Sequence, residues 1–144
     1  MDYIQIDRTN CMEIILQEFP AFQIQWDLYL ESWNSLIPRP IALDIAEFAD
    51  FAVDTICLEH DLEINRLTAT IELMLLQGDS IIEYAFRTMF LEQIAHRSNR
   101  GGFPVGRFTS KLQPLGLYCW QSMNRNLVIY PVGVTIDPIE TSTP

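Results

Sequence analysis

Apolar residues recur at intervals of three and four along most of the chain, the spacing that gathers them on one face of an α-helix. Met12, Ile15, Leu16 and Phe19 begin the series behind Asn10 and Glu13, whose spacing fits a capping box, and Pro20 ends this first helix. Phe22, Trp26, Tyr29, Leu30 and Trp33 give a second helix, over 22–34, a heavy aromatic stripe; Pro38 and Pro40 separate it from the third. In that third helix Ile41, Ile45, Phe48, Ala49, Ala52, Val53 and Ile56 share one half of the circumference. Glu47, Asp50 and Asp54 fall in a sector of about 60° on the other half, at about 100° per residue. A fourth helix over 62–76 is expected to stop at Gly78 through a left-handed glycine terminator.

Asp79 and Ser80 start the fifth helix, with Ser80 and Glu83 in capping-box spacing. Its apolar residues, Ile82 through Ile94, point in nearly every direction, which predicts a central, enclosed helix over 81–95. The stretch 98–109 holds three glycines and a proline and predicts a long loop. A sixth helix over 112–124, with Pro114 in its first turn, presents Leu115, Tyr118, Cys119, Trp120 and Met123. Residues 127–136, rich in Val, Ile and Tyr but broken by Pro131 and Gly133, predict an extended tail lying along the helices, with 137–144 frayed. The fold class expected is all-α: a single-domain bundle of about six helices spanning 1–144, helices four and five pairing across the glycine turn like a helical-repeat unit.

Composition narrows the classes. With 49% apolar and 19% charged residues, the 144-residue chain has the material for a core and not the make-up of a disordered segment. Its unbroken apolar runs, such as 73–76, are far shorter than the roughly 20 residues a bilayer requires. The first residues, Met1-Asp2-Tyr3-Ile4-Gln5-Ile6-Asp7, carry neither the basic nor the apolar part of a signal peptide, so a cytoplasmic address is expected. Cys11, Cys57 and Cys119 have no paired spacing and read as buried free thiols.

Charge changes the picture more. The net charge of −10 is unevenly spread: residues 1–92 hold 17 acids against Arg8, Arg39, Arg66 and Arg87, whereas 93–136 hold five bases and no acid. The negative body disfavours nucleic acid as a partner, because it repels a phosphate backbone from most approaches. Arginine dominates the positive stretch and suits forked pairing with carboxylates, within the chain or between chains. No base stands between Arg39 and Arg66, so the acids of helix three have no cation within their own helix.

Candidate chemistry is sparse. His60-Asp61 occurs in metal-dependent phosphohydrolases, but the only other histidine is His96, so that metal constellation cannot assemble and the dipeptide reads as a solvated link. Glu92 and His96 stand one helical turn apart, which suits acid–base work, a ligand contact or, more commonly, a structural pair. Arg100-Gly101-Gly102 with Gly106-Arg107 offers amides and guanidinium groups to an anion, though without P-loop spacing. No metal and no cofactor is expected. The strongest feature is the row Glu47, Asp50 and Asp54, extended by Asp61 if the helix runs that far.

Gly78-Asp79, then Phe90-Leu91-Glu92 on the following helix, then Leu115-Gly116 leading into a helix with Trp120 give residues 60–125 a pattern that resembles small acidic all-α bacterial proteins that are largely uncharacterised, some of them regarded as immunity partners of secreted toxins. That resemblance implies a non-enzymatic binding protein. The expectation is an immunity-type inhibitor that covers a basic toxin or nuclease with Glu47, Asp50, Asp54 and Asp61. Two alternatives stand beside it: a small enzyme or ligand-binding protein with a pocket near Glu92, His96, Arg100 and Arg107, and a helical adaptor or homodimer.

Overall fold

The chain enters through a short extended segment in which buried Ile6 makes a parallel bridge with Gly78. The Ile6 amide donates to the Gln77 carbonyl (2.8 Å), and the Ile6 carbonyl accepts from the Asp79 amide (2.7 Å). The computed structural model describes residues 4–33 and 36–129, with side chains to residue 123. Helix α1 (Cys11–Glu18) is followed by a 3-10 turn (Pro20–Phe22), α2 (Gln23–Ser32), α3 (Ile41–Cys57) and α4 (Asp61–Gln77). Next comes one continuous rod in three parts: α5 (Ser80–Ala85), a π-helical stretch (Phe86–Phe90) and α6 (Leu91–Ser98). Helices α7 (Val105–Thr109) and α8 (Pro114–Ile129) complete the described residues, which form an all-α fold.

One core joins these elements. Phe48 on α3 is its hub: its ring centroid lies 5.4 Å from Phe19, 5.5 Å from Phe22, 5.4 Å from Phe90 and 6.5 Å from Phe86. The apolar half of α3 is therefore clamped between the aromatic cap of α1–α2 and the rod, while α4 packs on α3 and on the rod and α8 lies across both α4 and the rod. Clustered rings contribute beyond the area they bury, so this hub fixes the orientation of α3 and of whatever its outer edge carries.

The local chemistry differs from the sequence expectations at six places. Asn10 does not form the capping box; its Oδ1 accepts from the Asp7 amide (2.8 Å) and its Nδ2 donates to the Gln5 carbonyl (3.2 Å), tightening the entry turn instead. At the start of α5 the cap is Asp79, whose Oδ1 accepts from the Ile82 amide (2.9 Å), with Ser80 already inside the helix. Gly78 is not a left-handed terminator: its φ is −69° and ψ 145°. Glycine is required there by space, because a Cβ would overlap the Met74 carbonyl and lie 2.8 Å from Ile82 Cγ2.

The expected loop over 98–109 is broken by α7, because Phe108 has an apolar place to go: it is fully buried, edge-on to Trp120 at 5.6 Å. The rod, expected to be enclosed all round, has an open outer face on which Ile81 is 49% and Tyr84 59% exposed, because Glu83, Arg87, Glu92 and His96 occupy that side and keep it in water. Helix α8 also runs to Ile129, past its expected end at residue 124. Residues 127–129 of the expected extended tail are therefore helical, and the rest of that tail, from residue 130 on, with the frayed end lies outside the described residues. Among the described residues no helix is long and apolar enough to cross a membrane.

Candidate functional site

Seventeen residues of α3 separate cleanly into a buried half and an acidic edge, and the edge stands between two neighbours. On one side Gln25 of α2 donates from Nε2 to Glu47 Oε2 (2.7 Å) and to the Glu47 carbonyl (3.3 Å). On the other, Gln93 of α6 donates to the Asp50 carboxylate and to the Ala46 carbonyl (3.4 Å). Asp54, one turn further, is exposed. Glu47, Asp50 and Asp54 thus stand without a counter-charge: two are held by neutral amides, and none of the three has a cation within ion-pair distance among the described residues. An amide orients a carboxylate without neutralising it, so the edge is both positioned and charged.

Asp61 has a different fate. It begins α4 and accepts from Arg107 Nη1 at 2.9 Å, while Arg107 Nε lies 3.3 Å from Glu59. The positive part of the chain therefore does find the negative part, through an arginine of α7 reaching the α3–α4 link. Arg100 sits exposed in the turn after α6. In the glycine–arginine segment Gly102 takes a left-handed φ of +88°, and Arg107 is paired with Asp61 and Glu59.

Glu92 and His96 are both exposed, one turn apart on α6. They border an open groove of about 560 Å³ that also involves Tyr84, Thr88, Met89 and Gln93, with neither Arg100 nor Arg107 among its walls. A second groove of about 460 Å³ adjoins it, sharing Tyr84, Thr88 and Met89 and bounded across by Ile41 and Ala42 of α3. The π-helical stretch lies at their junction. There Thr88 Oγ1 donates to the Tyr84 carbonyl (2.6 Å), the acceptor that an α-turn would give to the Thr88 amide. Arg87 is already committed on this face, paired to Glu83 at 2.8 Å and lying 5.2 Å over the Tyr84 ring. No group of three or more potential metal ligands occurs among the described residues.

Two buried carboxylates escaped the sequence reading. Asp44, 3% exposed, takes a forked contact from Arg39 (Nε–Oδ1 2.6 Å, Nη2–Oδ2 3.2 Å) and a hydrogen bond from the Tyr29 hydroxyl (2.8 Å). Burial, then the bond to Asp44, pushes the Tyr29 hydroxyl above its ordinary range, so it stays a donor. Arg39 in turn lies 5.5 Å over the Trp26 ring, tying the α2–α3 connection to the helix that carries the acidic edge. Glu72, 8% exposed in the middle of α4, accepts from the amides of Leu115 (3.0 Å) and Gly116 (2.9 Å), capping α8 from outside. The available signal for Glu72 was its register: it sits four residues after Thr68 and three before Leu75, both buried.

The edge of α3 is accordingly a row of three carboxylates without a paired cation among the described residues, two of them held by amides, beside an open trough along the rod. Neither a curated protein nor a solved structure matches the chain. A family model does match, over residues 12–124, from α1 into α8 and including every one of these groups: the chain belongs to the family described as a domain of unknown function, DUF7674.

Proposed function

We propose that the protein is a non-enzymatic binding module that covers a basic surface of another protein with the outer edge of α3. The observation that carries this reading is the uncompensated row Glu47, Asp50 and Asp54, two of whose members are held in place by Gln25 and Gln93. Such a row raises the local negative potential, accelerates encounter with a basic partner and repels nucleic acid. An immunity-type inhibitor of a basic toxin or nuclease is the specific form of partnership that fits this chemistry and the resemblance noted above. Asp61 contributes less than the other three, because Arg107 already neutralises it.

The test uses a lysine-rich peptide as the basic probe and two triple variants of equal charge. Reversal of Glu47, Asp50 and Asp54 to lysine is expected to weaken binding at least about tenfold at low salt, with the difference shrinking as salt approaches physiological strength. Reversal of Glu13, Asp27 and Glu31, which lie on α1 and α2, should weaken it far less. Equal losses in the two variants would mean that only net charge matters and that α3 is no site.

A further inference from the structure

Beside the acidic edge the rod leaves open a trough that is apolar toward its α5 end, and the two features are joined by a residue. Gln93 lines the trough and, by the same side chain, holds Asp50 of the edge. We propose that this trough, between α3 and the α5–π–α6 rod, seats the apolar face of a basic amphipathic helix of the partner protein, whose cationic residues then fall over Asp50 and Glu92. This inference rests on the reading of the acidic edge and adds to it where the partner is anchored and by what kind of segment.

Three observations support it. The lining is largely apolar where the trough runs between α3 and the rod: Ile41 and Ala42 on one wall, Ile81, Tyr84 and Met89 on the other. From Ile81 to His96 the trough follows about four turns of the rod, roughly 22 Å, the length of a helix of some 15 residues. The charges along its borders favour a cationic occupant. Asp50, held by the lining residue Gln93, and exposed Glu92 on α6 have no ion-pair partner among the described residues, whereas the cation Arg87 is consumed by Glu83 and the Tyr84 ring. A helix laid in a groove is the recognition mode that uses such a surface, since apolar anchors at helical spacing fill the trough and the opposite charges meet at its border. The π-helical turn bears on this directly: by opening the rod at Thr88 it interrupts the regular ridge of side chains against which a partner helix would otherwise abut.

The experiment compares two synthetic 18-residue peptides of identical Leu/Lys composition. In one the leucines stand at i, i+3, i+4 and i+7; in the other the order is scrambled so that no apolar face exists. Against the full chain, the amphipathic peptide is expected to bind about tenfold more tightly than the scrambled one. Tyr84→Ala with Met89→Ala, at positions outside the buried core and so compatible with folding, should abolish that preference while leaving the scrambled peptide's affinity unchanged. The lysine reversal of the α3 edge should weaken both peptides. Equal affinity for the two peptides, or a preference that survives Tyr84→Ala with Met89→Ala, overturns the trough. If the edge reversal leaves both affinities unchanged while the trough variant removes the preference, the trough stands and the acidic-edge reading falls. Failure of both peptides to bind saturably overturns both.

Discussion

Glu72 shows how much one side chain can decide in this fold. It is a carboxylate buried in the middle of an otherwise apolar helical face, and its two oxygens take the first free amides of α8. Glu72→Ala strands those amides and should cost about 2–3 kcal/mol in a urea melt, whereas Glu72→Gln, which keeps a carbonyl oxygen, should cost about half as much. A loss below about 0.5 kcal/mol for alanine would mean that water replaces the cap. The thiols give a second prediction. Cys57 is exposed, contrary to the expectation that all three cysteines are buried, because it ends α3 on the side turned away from the core. Burial, reinforced by Asp44, Asp79 and Asp7, pushes the Cys11 thiol up to about 12, and burial also raises Cys119. Alkylation at pH 8 should therefore modify Cys57 first and leave Cys11 untouched until the protein unfolds. The same shift sets a pH trend: Cys11 holds its proton when folded but loses it near 9 when unfolded, so its contribution to stability is intact below that pH and declines as pH rises toward about 12.

Among the elements, α7 separates what the sequence could disclose from what it could not. Glycines and a proline over 98–109 outvoted Phe108, yet Phe108 is the residue that makes the segment fold, by burying its ring against Trp120. Phe108→Ala should lose about 3–4 kcal/mol of stability by denaturant titration, a loss no surface loop residue would produce. Helix α3 was legible because its own periodicity divides it into two faces, and the same periodicity placed Glu47, Asp50 and Asp54 together. What periodicity could not supply is anything that depends on a second element. The amides of Gln25 and Gln93 and the pairing of Asp61 with Arg107 are contacts between residues 22, 43 and 46 positions apart, and no local pattern encodes them. Of the aromatic stripe expected over 22–34, Phe22 and Trp26 are buried in the core, while the rod's apolar surplus concealed an outer face that neighbouring helices never reach.

For the whole molecule, the fold is a mount for one helix. The phenylalanine hub holds the apolar half of α3 from beneath, the Arg39–Asp44 pair fixes its first turn, and α2 and α6 flank its outer edge, so the three carboxylates are displayed at fixed spacing without a counter-charge. The most direct test is to titrate the isotope-labelled protein with the lysine-rich peptide at low salt and map which amide and side-chain NMR signals move. The largest shifts should fall on Glu47, Asp50 and Asp54 and on the Gln25 and Gln93 side-chain amides that hold two of them. Shifts spread evenly over all exposed acids, with Glu13, Asp27 and Glu63 moving as much as the α3 edge, would contradict the account.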